Sequence, residues 1–170
     1  IRHREELEVW QNDLRDTSAL IISSEVAFAP GEAPGSRQQV RPPIDFGDRL
    51  ACLGYSAPSK VLEPGGTWEL IVYWRAISEG GDRVKAFVQI LDDNGNPRTQ
   101  YDGFGIPSIG WRQGDLMAER YTLNVPADLE TGRYWLQFGL YDARTRNRFP
   151  ALLDSVHVGS RLLLPPLRGE

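Results

Sequence analysis

Few residues in this chain could carry chemistry. It holds two histidines, His3 and His157, and one cysteine, Cys52. A Ser-His-Asp relay or a zinc centre needs a histidine held against a second ligand or base. His3 stands in a charged N-terminal stretch, and His157 alternates with Val156 and Val158 in "SVHVG", as a strand residue facing solvent would. Neither has another His or Cys nearby in sequence. The sequence therefore predicts no metal centre, no cofactor and no catalytic residue. Cys52 lies in "DRLACLGYSA" with no histidine near it, and reads as a buried structural thiol. A single cysteine forms no intramolecular disulfide.

The aspartates offer two further chemistries. In "DDNGNP", Asp92, Asn94 and Asn96 match the first three ligand places of a calcium-binding loop, but Pro97 stands where glycine is needed and Gly103 where a glutamate is needed. A hairpin turn explains the stretch better, with Asn94-Gly95 tolerating positive φ at both positions. Paired carboxylates could hydrolyse a glycosidic bond. The candidates Asp102, Asp115, Asp142 and Asp154 all fall at turns or strand ends, where Asp is common for backbone capping, and nothing singles out a pair. "GFGIPSIG" follows a strand-like segment but opens no helix, so it is not a phosphate-binding loop.

Aromatic residues are the remaining signal. Trp68, Trp74, Trp111 and Trp135 accompany six tyrosines, and exposed Trp and Tyr in a β-sandwich can serve as stacking surfaces for sugars, with Asp, Asn, Gln and Arg binding the hydroxyls. Trp68 and Trp74 fall on a strictly apolar strand face and read as core. Trp135 and Tyr141 fall on a mixed face. Trp111 lies in "TQYDGFGIPSIGWRQGD" (99–115), which is either a ligand-binding loop or a crossover with its tryptophan plugged into the core. The candidate ligand-binding set is Trp111, Tyr101, Asp102, Gln100, Trp135 and Tyr141.

These residues need a frame, and the periodicity supplies one. Strand candidates are 49–57, 67–77, 84–92, 97–103, 115–125, 132–142, 148–151 and 154–160, separated by turn signals such as "PGG", "EGGD", "DDNGN" and "ETG". Trp68, Leu70, Val72 and Trp74 line one face of a strand, with Glu69, Ile71, Tyr73 and Arg75 on the other. Tyr134, Leu136, Phe138 and Leu140 repeat the pattern opposite Trp135, Gln137, Gly139 and Tyr141. The prediction is an all-β, two-sheet antiparallel β-sandwich, immunoglobulin-like or jelly-roll-like, with a short N-terminal helical arm over 1–15, where Leu7, Trp10 and Leu14 recur at helical steps. Residues 17–29 read as extended and 30–43, rich in Pro and Gly, as a linker. The predicted organisation is an arm and linker over 1–45, the sandwich over 46–160 and a proline-broken tail over 161–170.

At 170 residues the chain is long enough to bury a core without a metal or disulfide. Its formal net charge of −4, from 23 acids and 19 bases, argues against a nucleic-acid partner bound by phosphate neutralisation. No segment approaches the roughly 20 apolar residues of a membrane span, and no signal peptide is visible. The chain begins with Ile1 and reads as a piece of something larger.

The ordered motifs "FGDRLACLGYSA", "LEPGGTWELIVYWRA", "VKAFVQILDDNGNPRTQYDGFG", "PSIGWRQGD" and "AERYTLNVPADLETGRYWLQFGLYDARTRNRFP" carry a further signal. Over about 46–159 the chain resembles a β-sandwich module appended to bacterial multi-span membrane glycosyltransferases similar to the dolichyl-phosphate-mannose protein mannosyltransferase class. The match rests on Gly54-Tyr55, Pro64-Gly65, Tyr73-Trp74, Phe87, Leu91-Asp92, Gln100 with Asp102, Pro107-Ser108 with Trp111 and Gly114, Tyr121, Gly132 with Tyr134, and Gly139 to Asp142. Residues 1–45 have no place in that pattern. The resemblance implies a non-catalytic accessory module, extracytoplasmic and either membrane-associated or at the cell surface. Its implied partners are a glycan or glycan-lipid and the membrane-embedded part of a parent chain. A structural subunit whose arms pack on partner subunits, and a sandwich-fold glycosidase or lyase, are the alternatives. Within 99–115, Gln100 and Asp102 are expected to bond the loop backbone and Trp111 to close one end of the sandwich.

Overall fold

The computed structural model describes residues 27–30, 37–57, 59–80, 83–103, 111–164 and 167–169. The helical arm expected over 1–15, and the extended stretch expected over 17–29 up to residue 26, lie outside the described residues; 27–29 fall in the first strand. The described chain is all-β. Its strands are β1 (Ala27–Pro30), β2 (Arg37–Val40), β3 (Ile44–Phe46), β4 (Leu50–Ser56), β5 (Val61–Leu62), β6 (Thr67–Ala76), β7 (Val84–Leu91), β8 (Pro97–Gly103), β9 (Leu116–Asn124), β10 (Gly132–Asp142), β11 (Ala151–Leu153), β12 (Val156–Gly159), β13 (Leu162–Leu163) and β14 (Leu167–Gly169).

They form two sheets. One runs β12-β11-β3-β4-β6-β9. The other is centred on β10, which pairs from Trp135 to Asp142 with the whole of β7; β8 lies beyond β7. The opposite edge of β10 is shared. Gly132 to Tyr134 pair with β14, and Gln137 and Phe138 with β13, which continues to β1 and β2. Strands thus come from both sides of 46–160: β1 to β3 before it and β13 and β14 after it. The "RQQV" of β2 is polar and forms a sheet edge, so a composition that reads as linker still pairs its backbone. All pairs are antiparallel except β14 with β5, which is parallel.

Alternation builds the core as expected. β6 buries Trp68, Leu70, Val72 and Trp74, and β10 buries Tyr134, Leu136, Phe138 and Leu140 against them. Phe46 meets Trp74 edge-on at 5.7 Å, and Trp74 meets Phe138 at 6.3 Å, so a run of rings crosses from one sheet to the other. Such pairs contribute about 0.5–1.5 kcal/mol each beyond burial. Cys52 is buried in this core and its thiol donates to the Gly54 carbonyl at 3.7 Å. Burial pushes the thiol up to about 12, against the lowering effect of that bond. The thiol is structural, as its setting suggested.

Candidate functional site

The outer face of β8, β7 and β10 positions the candidate site. Its hairpin is set by Asp92, whose Oδ1 accepts the N–H groups of Asn94 and Asn96 at 2.9 Å each. Gly95 takes φ +83°, but Asn94 does not take positive φ, so the turn is longer than the expected two-residue one. The resulting register places Gln100 opposite Gln89, and Gln89 opposite Gln137, in one row across three strands.

That row is hydrogen-bonded end to end. Arg161 donates to the Gln137 carbonyl, Gln137 donates to Gln89, and Gln89 donates to the Gln100 carbonyl at 3.1 Å. Each amide spends its oxygen on the neighbour behind it, which leaves the Gln100 amide nitrogen facing out.

A second row runs alongside, two residues on along β8. Asp102 lies opposite Phe87, and Phe87 opposite Gly139. A Cβ at Gly139 would stand 2.7 Å from Phe87 Cζ and 2.9 Å from the Ser160 carbonyl oxygen, so only glycine lets the Phe87 ring lie across β10. Arg148 stacks on that ring, its guanidinium carbon 4.3 Å from the centroid. The Tyr141 hydroxyl donates to Asp102 Oδ1 at 2.7 Å and accepts from Arg146 Nη1 at 3.4 Å. Arg146 also lies over the Tyr141 ring at 5.7 Å. Burial, followed by the bond to Asp102, raises the Tyr141 pKa, which keeps it a donor at neutral pH.

The turn after β10 holds Arg146 there. Asp142 Oδ1 accepts the N–H groups of Arg144 and Thr145, its Oδ2 pairs with Arg83, and Arg146 adopts φ +63°. Between the two rows lies an open depression of about 190 Å³, bordered by Gln89, Gln100, Asp102, Tyr141, Arg146 and Arg148.

The structure brings Gln100, Asp102 and Tyr141 together. It parts them from Trp111 and Trp135, and Tyr101 only borders them. Trp111 is 3% exposed and belongs to the core, so it is the plug rather than the stacking surface. Tyr101 borders the depression, but its ring meets Tyr121 edge-on at 5.3 Å where β8 passes β9. Trp135 does face outward, yet it is buried with Leu91 and Leu163, and its Nε1 donates to Asp93 at 3.2 Å. Gln100 and Asp102 bond across the sheet to Gln89 and Tyr141, because alternation turns them onto its outer face; the loop over 104–110 whose backbone they were expected to bond lies outside the described residues.

Sequence reasoning missed Phe87, Gln89, Gln137, Arg146, Arg148 and Arg161. Phe87, Gln89 and Gln137 carried a usable signal, since each falls on the mixed face of its strand. The arginines come from a turn and from the segment after β12, whose direction no periodicity reports. Two of the four acids considered for hydrolysis serve the backbone: Asp115 accepts the Arg112 N–H at 2.8 Å, and Asp142 caps its turn. Among the described residues, no three His, Cys, Asp or Glu side chains gather as a metal site. Nor is any helix among them long and apolar enough to cross a membrane.

No family model matches the chain, and no curated protein matches it. Solved structures do. The C-terminal domain of wzt superposes with a TM-score of 0.53 at 16% identity, covering 75% of this chain and 77% of that one. That likeness establishes a shared β-sandwich fold. Looser overlaps, which bear on nothing further, are the CARDB domain of the PF1109 protein from Pyrococcus furiosus (TM-score 0.40, 12% identity, 68% of this chain and 84% of that one) and the Pseudomonas fluorescens alkylpurine DNA glycosylase AlkC (TM-score 0.43, 9% identity, 77% of this chain and 31% of that one).

Proposed function

We propose that this β-sandwich is a non-catalytic saccharide-binding module whose ligand lies on the outer face of β8, β7 and β10. One observation carries the reading: a hydrogen-bonded glutamine row and the Tyr141–Asp102 bond beside it fix a donor, the Gln100 amide, and an acceptor, the Asp102 carboxylate, two residues apart on one strand at the border of one depression. A saccharide presents vicinal hydroxyls that both donate and accept, and groups already held in place bind them without a further ordering cost. The sequence resemblance supports a finer version, in which the module is the extracytoplasmic accessory domain of a membrane glycosyltransferase and a glycan or glycan-lipid is what it holds.

Amide NMR titration with a panel of neutral and acidic oligosaccharides tests the first statement. Binding should shift resonances of β7, β8 and β10, and Asp102→Ala should weaken it about fivefold, the worth of roughly 1 kcal/mol of hydrogen bonding. A panel that leaves those strands unshifted, or an Asp102→Ala variant that binds unchanged, would remove the proposal.

A further inference from the structure

We propose that the saccharide held here carries an anionic group, a carboxylate or a phosphate ester, and that Arg146, Arg148 and Arg161 recognise it. The inference rests on the saccharide reading above and narrows it to one chemical class.

The charge pattern around the site carries the argument. Five described arginines elsewhere in this net-negative chain have an acid within 4 Å, among them Arg133 with Asp93 at 2.9 Å, Arg49 with Asp48 at 3.2 Å, and Arg83 with Asp142, and none of the other unpaired ones borders the depression. Among the described residues, Arg146, Arg148 and Arg161 make no ion pair, yet they converge on one depression and the glutamine row beside it. Lys85 adds a cation on the same face of β7, opposite Tyr141. The carboxylate that faces them is Asp102, and its Oδ1 is already engaged by Tyr141.

The arrangement is also held at a cost. Arg161 is half-buried and Arg148, though exposed, lies against the Phe87 ring, and the lost hydration depresses the pKa of both; for Arg161, proximity to Arg148 depresses it further. Arg146 keeps a left-handed backbone conformation that a residue with a side chain rarely adopts, and that conformation accompanies a guanidinium set over Tyr141. Three gathered guanidiniums against a single carboxylate are unfavourable on their own and favourable around an added oxyanion, and a guanidinium fork suits carboxylate and phosphate alike. The guanidiniums cover the faces of Phe87 and Tyr141, so the surface offered to a ligand is cationic rather than aromatic.

Calorimetric titration with galacturonate, glucuronate and mannuronate oligomers, each beside its own methyl ester, separates charge from sugar. At least one acid should bind about tenfold more tightly than its ester, by the weight of charge-assisted hydrogen bonds, and added salt should erode the difference. The double variant Arg146→Gln/Arg148→Gln, at two exposed positions, should abolish the preference while still binding the ester. Equal affinity for acid and ester overturns the anionic inference and leaves the saccharide reading standing. Absence of any saccharide binding overturns both. A preference that survives in the double variant, or an equally tight single-stranded DNA oligomer, overturns the assignment to these arginines or to a saccharide.

Discussion

On the outer face of β6 and β9, Glu69 and Arg120 sit 3.9 Å apart, with Ile71 and Tyr73 half-buried between strands. On the outer face of β8, β7 and β10, polar side chains instead bond one another across three strands, and cations gather beside them. Both faces belong to one sandwich and are read from the same alternation. The first carries, among its described residues, one loose, exposed ion pair and no bonded row, as solvated surfaces do. The second binds its amides into a fixed order and leaves its arginines for something else. The difference that marks a site is thus how polar groups are spent, since both faces contain them.

The largest expected effect erases the contrast by removing the support of both faces. Trp111→Ala empties a core position that is 3% exposed and should cost about 3–5 kcal/mol of unfolding free energy, read by urea denaturation. Retained stability with lost saccharide binding would restore Trp111 as a binding surface. Gly139→Ala breaks one face only. Its Cβ meets Phe87 and the Ser160 carbonyl, so the cost should be about 1–3 kcal/mol, with ligand binding lost as Phe87 and Arg148 shift. Tyr141→Phe deletes the bond to Asp102 and should cost about 1 kcal/mol of stability while weakening binding several-fold. Arg120→Ala on the other face should change stability by no more than about 0.5 kcal/mol and leave binding untouched, since both partners of its 3.9 Å pair are exposed.

Acid should also separate the faces. Backbone N–H groups, that of Asn96 foremost, hold Asp92 below the ordinary carboxylate pKa, and the Thr145 N–H foremost does the same for Asp142. A folded-state pKa below the unfolded one contributes stability above the unfolded value, and that contribution is lost as pH falls through the folded one. Below about pH 4 the turns flanking β7 and β10 should therefore loosen first, visible as faster hydrogen exchange at 92–96 and 142–147. Cys52 gives the smallest signal. With its thiol at about 12, it should resist iodoacetamide at pH 8 until the domain unfolds.

Much of this frame was legible in the sequence. Alternation from Trp68 to Trp74 fixes which face of β6 meets the core, because burial on one side demands a period of two, and the same reading picks the inner face of β10, although its outer face is covered as well. Strands 97–103 and 132–142 fall where they were expected. The 148–151 stretch was misplaced: Arg148 makes a single bridge to Tyr141, and the strand starts at Ala151, after Pro150, which has no N–H to give. Short pieces such as β2, β13 and β14 were invisible because their pairing comes from neighbours rather than from their own pattern. Of the site, Gln100, Asp102 and Tyr141 could be found by face and residue type. Arg146 and Arg161 could not, since a turn's left-handed residue and a segment's exit direction are set by tertiary packing.

The edge of β10 between Gly132 and Phe138 is closed only by β14 and β13, and β14 in turn holds β5 from more than a hundred residues earlier. A ribosome making this chain therefore releases every strand through β12 before that edge can be sealed. Until the final leucines emerge, the nascent domain exposes a row of unpaired amides at its centre, open to a chaperone or to a neighbouring polysome product.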